Sequence, residues 1–332
     1  MADEQIVMAH GGGGALTHEL LTETILPALG SSSYRLPDAA DLPGEAGLVF
    51  TTDAFVVKPL FFRGGDIGSL SVHGTVNDLA VSGAKPIALT MTLVLEEGLS
   101  LETVEAVTAS AGAAARACGA PIVAGDTKVV ARGEADELFI TTAGVGRRVP
   151  ELTLPGLRDG DRVLISGPIA DHGIAVMSQR EGIDFQTRVR SDSAPVWPLV
   201  EALVAAGIDV HAMRDPTRGG LAAVCAEFAE DYGLSITLHE EDIPVRPETA
   251  AACSILGLDP LTVANEGKLT AFVAAEDADR ALAALRSAPG GEHAAVIGVV
   301  TARRTVPVTL RTRFGGQRLV EMPYGEDLPR IC

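Results

Sequence analysis

The sequence ends Pro323-Tyr324-Gly325-Glu326-Asp327-Leu328-Pro329-Arg330-Ile331-Cys332, so its last side chain is a thiol. A thiolate is a nucleophile. The prolines and the glycine make a poor helix and a poor central strand, so this stretch reads as an extended arm. Fully extended, such an arm of about ten residues reaches at most about 33–36 Å. Cys332 can then leave its own domain and enter another cavity. The competing reading is a frayed end with no role.

Carboxylates supply a second chemistry. Asp53, Asp66, Asp78 and Asp126 each stand beside glycine or at the end of an element. Lone surface aspartates are usually just solvated, but this placement fits a Mg²⁺ site, because Mg²⁺ takes carboxylate oxygens and bridges to phosphates. Asn77 and Thr127, each next to one of these acids, join them as nucleotide-site candidates. Lys128 fits a phosphate partner or a base; its alternative is a surface ion pair worth under about 1 kcal/mol.

Asp215 is a fifth metal candidate with a competing role. In Asp215-Pro216-Thr217-Arg218-Gly219-Gly220-Leu221 it reads as a helix cap followed by proline in the first position. Capping does not explain Arg218-Gly219-Gly220, because two glycines in a first turn cost about 1 kcal/mol each against alanine. They fit a place where a ligand or another backbone comes close. Asn265-Glu266-Gly267-Lys268 reads either as a turn or as a carboxylate at a strand edge facing a pocket. His10-Gly11-Gly12-Gly13-Gly14 is either a flexible entry or a backbone cradle for phosphate. It is neither a P-loop nor G-x-G-x-x-G.

These residues need elements to hold them. Leu48 to Asp53 reads as a strand ending in a carboxylate, and Gly64 to Gly68 as a glycine-flanked loop around Asp66. Val76, Leu79, Ala80 and Gly83 share a helical face, which puts Asn77 and Asp78 near a first turn, off that face. Ile87 to Leu95 is a strand. Ser100 caps a helix closed by Gly119 and Pro121. Ile122 to Val130 and Leu138 to Val145 are strands, and the first carries Gly125-Asp126-Thr127-Lys128. Leu152 to Asp161 has turn-formers and reads as a linker. Beyond it come a strand, Arg162 to Ser166, and a helix, Asp171 to Glu181. A charged loop, Arg188 to Asp192, and a helix near Val196 to Ala206 follow. Later come an amphipathic helix, Asp277 to Leu285, and closing strands at Ala295 to Val300 and Val306 to Leu310.

At 332 residues, two domains are the natural expectation. The hydrophobic share of 47% is ample for cores, and the aromatic share of 4% makes those cores aliphatic. A formal net charge of −18 argues against nucleic acid or an anionic membrane as main partner. No apolar run is long enough to span a membrane. The start, Met1-Ala2-Asp3-Glu4-Gln5, lacks the regions of a signal peptide, so a cytoplasmic protein is expected. Of the four cysteines, Cys118, Cys225 and Cys253 lie in Ala-rich helical patterns and read as core residues. None forms a C-x-x-C pair.

Taken together, these segments resemble the HypE family, the carbamoyl dehydratases of [NiFe]-hydrogenase maturation. The resemblance runs from end to end. It rests on His10 to Gly14, Thr52-Asp53, Gly65-Asp66-Ile67-Gly68, His73 to Pro86 and Ala124 to Val129. It continues through Asp215 to Leu221, Asn265 to Lys268 and the closing Pro329-Arg330-Ile331-Cys332. More distantly the chain is similar to aminoimidazole ribonucleotide synthetase, selenophosphate synthetase and thiamine-monophosphate kinase, which share the acid-rich first half.

The resemblance implies an α+β, two-domain fold of the aminoimidazole ribonucleotide synthetase type. The expected divisions are an ATP-binding and dimerisation domain at 1–151, a second α+β domain at 152–322 and a flexible tail at 323–332. It also implies a homodimer whose first-domain sheets pair across the two-fold axis. ATP and Mg²⁺ are the implied cofactors. The implied partners are a carbamoyltransferase, HypF, and a HypC–HypD complex.

The expected reaction is ATP-dependent dehydration of an S-carbamoyl group on Cys332 to a thiocyanate. Asp53, Asp66, Asp78, Asp126 and Asp215 are the metal candidates, and Glu266 with Lys128 is the expected base pair. Two rivals remain at this level: a small-molecule kinase or synthetase of the same superfamily, and a nucleotide-binding thiol carrier without catalysis.

Overall fold

The computed structural model describes residues 6–29, 37–180, 189–324 and 330–332. The expected positions Glu181, Arg188 and Gly325 to Pro329 lie outside them. The architecture is α+β and is built on two large sheets.

The first half opens with helix α1 (Ala15–Glu19), which runs through a π-helical turn into α2 (Leu26–Ala28). Strands β1 (Ala40–Asp41), β2 (Leu48–Phe55), β5 (Ala84–Glu96), β6 (Ile122–Val130) and β7 (Leu138–Arg148) form one sheet in the order β1-β2-β7-β5-β6. A short hairpin, β3 (Phe61–Phe62) and β4 (Gly65–Asp66), leads into helix α3 (Ile67–Val81). Helix α4 (Leu101–Ala117) makes the crossover that lets β6 lie parallel to β5. Ser100 caps α4 by accepting from the amide of Thr103, as its sequence predicts.

Burial alternates along β2: Val49, Thr51 and Phe55 are covered while Phe50, Thr52 and Ala54 are exposed. Period-two alternation of this kind marks a sheet with one face against a core. Helices α3 and α4 cover that face. The other face is uncovered, and β6 is exposed along nearly its whole length.

The second sheet has seven strands. They are β8 (Arg162–Ile165), β9 (Val210–Arg214), β10 (Ser235–His239), β11 (Thr270–Val273), β12 (Ala295–Thr301), β13 (Val308–Arg311) and β14 (Gln317–Leu319). Their order is β14-β13-β10-β12-β8-β11-β9. Around them pack α5 (Asp171–Arg180), α6 (Trp197–Ala205), α7 (Gly220–Asp231), α8 (Pro247–Leu256) and α9 (Ala278–Ser287).

Helix α3 joins the two halves. It is buried on nearly every side, including at the polar Ser71, Thr75 and Asn77, so it has almost no solvent face. Its Leu70 and Val76 share a core with Ile174 of α5 and with Ile331, while Ala80 and Val81 pack with Leu164, Leu199 and Met213. The site lies beside this helix.

Two expectations are corrected here. Asp66 is the N-cap of α3, accepting from the amides of Gly68 and Ser69, so the helix starts well before Asn77 and Asp78. Asn77 lies in its third turn and is only 1% exposed. Asp215 is not a cap: α7 starts at Gly220, with Gly219 at its N-cap in the left-handed region, φ +74°.

Candidate active site

Six pieces of chain converge on one pocket. Strand β2 brings Thr52 and Asp53. Helix α3 brings Gly74 and Asp78. The segment after β9 brings Asp215, Thr217 and Arg218. The turn before β11 brings Glu266, and the tail brings Cys332. Asp38 completes the lining. The pocket holds about 580 Å³, part of it open to solvent. That is within the range of small-molecule sites.

Gly74 and Gly220 show why the chain approaches so closely here. A Cβ on Gly74 would lie 2.8 Å from the ring of Phe55 and 3.4 Å from a carboxylate oxygen of Asp53. A Cβ on Gly220 would lie 2.5 Å from the carbonyl oxygen of Leu261. Gly220, the second glycine after Arg218, therefore admits another backbone, one of the two roles expected of the pair.

Asp38, Asp78 and Asp215 present oxygen atoms that all lie within 4.8 Å of one another. Burial first, then mutual repulsion, raises these carboxyls. Asp78 stands well above the ordinary carboxylate range, through burial and then through Asp215 and Asp38. Asp215 is pushed up to about 8, by burial and then by Asp38. Asp38 reaches about 6: burial raises it, and its ion pair with Arg214 at 2.8 Å holds it lower than the other two. Asp53 is also raised, mainly by burial. Thr51 donates to Asp78 at 2.9 Å. Clustered carboxylates that resist ionisation are a strong attractor for a divalent cation, and the all-oxygen donor set suits Mg²⁺.

Glu266 is 2% exposed, and its Oε1 has no hydrogen-bond partner among the described residues. Burial, then Asp215, Asp53 and Asp192, raises its carboxyl well above the ordinary range. A carboxylate raised in this way is, once ionised, a stronger base than an ordinary one. Its backbone is fixed from two sides: its amide donates to Asp192 Oδ1 at 3.1 Å, and its carbonyl accepts from Asn77 Nδ2 at 3.3 Å. Lys268 lies 3.0 Å from Asp192 Oδ2 in a buried ion pair. Asp192, expected in a charged loop, is thus an interior anchor. Burial raises its carboxyl, but Lys268 and then His172 bring it below the ordinary value.

The tail is seated in the pocket. Ile331 is 1% exposed within the core. The Arg330 guanidinium bonds Asp136 at 2.5 Å and the Val56 carbonyl at 2.9 Å. Of the four cysteines, only Cys332 lines the pocket. Burial pushes the thiols of Cys118 and Cys253 up to about 11 and that of Cys225 up to about 12, as suits inert core residues.

Not every expected residue converges. Asp66 spends its carboxylate on the α3 cap and on Ser110, whose hydroxyl lies 2.5 Å away, and it does not line the pocket. Asp126, Thr127 and Lys128 lie on exposed β6, where Lys128 pairs with Asp126 at 2.6 Å. Within one chain Lys128 is not beside Glu266; the lysine nearest that turn is Lys268. Asn77 holds the Glu266 turn rather than lining the pocket. Asp38 and Arg214 had no sequence signal, being an acid and a cation without flanking glycines.

The glycine-rich entry lies against the same region. The Arg218 guanidinium donates to the Gly11 carbonyl at 2.9 Å, and the amide of Ala15 donates to the Pro323 carbonyl at 2.9 Å.

Comparison with known proteins gives the family. The family model described as AIR synthase related protein, N-terminal domain, matches residues 36–148, and the corresponding C-terminal domain matches residues 158–311. Carbamoyl dehydratase HypE of Rhizobium leguminosarum bv. viciae is 48% identical over 338 aligned residues, covering 100% of this chain and 96% of that protein. The Escherichia coli K12 protein of the same name is 44% identical over 98% of this chain and 99% of its own length.

Among solved structures, a HypE-HypF complex superposes with a TM-score of 0.87 at 43% identity, covering 92% of this chain and 99% of that one. A HypE structure in complex with ATP gives a TM-score of 0.83 at 44% identity, covering 99% and 100%. Thiamine monophosphate kinase of Aquifex aeolicus shares the fold alone, with a TM-score of 0.61 at 20% identity over 90% and 97%. With the fold, the acid-lined pocket and these relatives in agreement, the chain belongs to the HypE family of carbamoyl dehydratases, within the wider group of AIR synthase related proteins.

Proposed function

We propose that this protein uses ATP to dehydrate an S-carbamoyl group on Cys332 to a thiocyanate, which supplies the cyanide ligand for the iron of [NiFe] hydrogenase. The observation that carries the reading is the position of Cys332, inside the pocket lined by Asp53, Asp78, Asp215, Arg218 and Glu266. A kinase acting on a free small molecule has no need of a tethered thiol there.

The carbamoyl oxygen attacks the γ-phosphorus of ATP, and the bond to ADP breaks. The activated group then loses its phosphorylated oxygen as phosphate and both N–H protons, leaving S–C≡N. The water that is formally removed ends in the phosphate.

Glu266 Oε1 is the atom positioned to take an N–H proton. Arg218 brings a guanidinium to the phosphate side. The seated tail excludes water from one wall, which strengthens each of these electrostatic contacts. Asp38, Asp78 and Asp215 would hold Mg²⁺, with Asp53 alongside. Bound there, the ion would neutralise charge on the phosphates.

The assembly we propose is a homodimer that pairs first-domain sheets. Its support is the uncovered sheet face and the exposed edge strand β6, on which Val123 is 65% and Val129 68% exposed. An unpaired edge of this kind invites a second strand. We assign the dimerising domain to 1–151, the second domain to 152–322 and the carrier tail to 323–332. HypF is the proposed donor of the carbamoyl group, and a HypC–HypD complex the proposed acceptor of cyanide. A free thiol carrier suits the reducing cytoplasm.

The test is the intact mass of the carbamoylated protein before and after ATP. Loss of one water from the tail peptide is expected. Release of carbamate with no nitrile formed would overturn the reading.

A further inference from the structure

His172, in the first turn of α5, is completely enclosed. Its Nε2 lies 2.9 Å from the carbonyl oxygen of Ile331, and its Nδ1 lies 2.8 Å from the hydroxyl of Ser191. The Ser191 oxygen already accepts from the amide of Ser193 at 3.1 Å, so its proton is free to point at Nδ1. That fixes the tautomer: Nδ1 accepts, and Nε2–H donates to the tail. Burial lowers the imidazole's basicity and keeps it neutral, which this arrangement requires. The ring is wedged edge-on against Phe62, with centroids 5.5 Å apart.

Ser191 is joined directly to Asp192, whose Oδ1 receives the amide of Glu266. A Cβ on Gly267 would lie 1.9 Å from the Asp192 carbonyl oxygen, so the two backbones pack without a gap. One continuous path therefore runs from the tail carbonyl through His172, Ser191 and Asp192 to the backbone of Glu266.

We infer that His172 is a positioning residue for the carrier tail. It registers the seated Ile331–Cys332 peptide against the loop that also sets Glu266, so that cargo and base arrive in one geometry. The inference rests on the dehydratase reading for its purpose, but not for its first measurement.

The test compares His172→Ala, His172→Gln and Ser191→Ala with the parent protein. Glutamine can place an amide N–H near the position of Nε2. The first readout is the rate of Cys332 alkylation without ATP, localised by peptide mass. Alanine at 172 is expected to raise that rate about tenfold, the worth of one hydrogen bond from a buried donor. Glutamine is expected to stay within about twofold of the parent, and Ser191→Ala to fall between. The second readout is single-turnover water loss from carbamoylated protein, which should fall in the same order. ATP binding, measured by calorimetry, should be unchanged in all three.

Unchanged alkylation in His172→Ala overturns the inference. So does a glutamine variant as impaired as alanine with melting and ATP binding intact, because that is the behaviour of lost packing. Should the alanine variant fail to fold, the other two decide: parent-like Ser191→Ala also overturns it. Absence of water loss in the parent itself would sink the dehydratase reading and leave the alkylation comparison standing.

Discussion

The amide of Val56 donates to the carbonyl oxygen of Cys332 at 3.0 Å. Val56 follows directly on β2, the strand that delivers Thr51 and Asp53. Two residues on, the amide of Lys58 donates to the Arg330 carbonyl at 3.2 Å. Alternate amides thus hold alternate carbonyls, as when a peptide adds itself to a sheet edge. Ile331, between them, turns into the core, where burial of such a side chain is worth about 2 kcal/mol. The sulfur is therefore tied to the same stretch of backbone as the acids it meets. Backbone pairing and one apolar anchor give a hold that is firm and also reversible, which a carrier visiting several partners needs.

The acid cluster predicts a trade between stability and function. Asp38, Asp78 and Asp215 repel one another until a cation arrives. Asp215, pushed up to about 8, folds at neutral pH only by taking up a proton, and Asp215→Asn removes that cost at nearly constant volume. Without Mg²⁺ the variant should melt a few degrees above the parent, corresponding to about 1 kcal/mol. With Mg²⁺ and ATP the parent should gain stability by binding linkage, and the variant much less. Turnover should fall by at least about 100-fold. Thermal unfolding with and without Mg²⁺–ATP reads all of this except turnover. A variant that melts below the parent without Mg²⁺ would remove the repulsion argument.

Strand β2, helix α4 and three of the seven strands of the second sheet, β8, β12 and β13, were legible because apolar periodicity and caps mark them locally. The start of α3 was not. Gly65-Asp66-Ile67-Gly68 reads as loop by helix propensity, yet Gly68 is needed inside the helix because a Cβ there would lie 2.2 Å from the Val107 carbonyl oxygen. Packing against α4 overrode propensity. Asp215 was misread because Asp-Pro at an apparent helix start serves equally well as a cap, and only tertiary structure shows that the helix begins later. Glu266 was legible as a pocket-facing carboxylate. Asp38 was not, since nothing beside it in the chain distinguishes it from a solvated aspartate. Its role comes from Arg214 and Asp78, which are distant in sequence.

Lys128 predicts behaviour that a single chain cannot show. It lies on exposed β6, away from the Glu266 turn. If first-domain sheets pair through β6 in a homodimer, each Lys128 serves the partner's pocket. Lys128→Ala and Glu266→Ala should then each abolish water loss from carbamoylated protein while retaining ATP binding. Mixing the two after dissociation should restore about a quarter of parent activity: half the dimers are mixed, and each mixed dimer carries one intact site. No recovery in mixtures shown by mass to contain mixed dimers would confine the chemistry to one chain. Val129→Glu should push the dimer toward monomer in sedimentation experiments, by placing a charge on the strand that must pair.

The last prediction concerns the ion pair at the root of the tail. Asp136 accepts from Lys58 at 2.7 Å and from Arg330 at 2.5 Å. These two hydrogen bonds, Lys58 first and Arg330 second, hold its carboxyl below the ordinary aspartate value. Arg330 is present at the site only when the tail is seated, so the seated state has the lower carboxyl pKa. The Arg330 contribution is therefore complete above the ordinary aspartate range and is lost as pH falls through the depressed value. Tail seating should accordingly be flat across neutral pH and weaken only in acid. Raised salt should also weaken it, because the pair is partly exposed. Asp136→Asn should loosen the tail at neutral pH and abolish the acid dependence. Reaction of Cys332 with a dithiodipyridine, a reagent that works in acid, measures the exposed fraction directly. The same acid-dependent rise in the asparagine variant as in the parent would show that another group governs release.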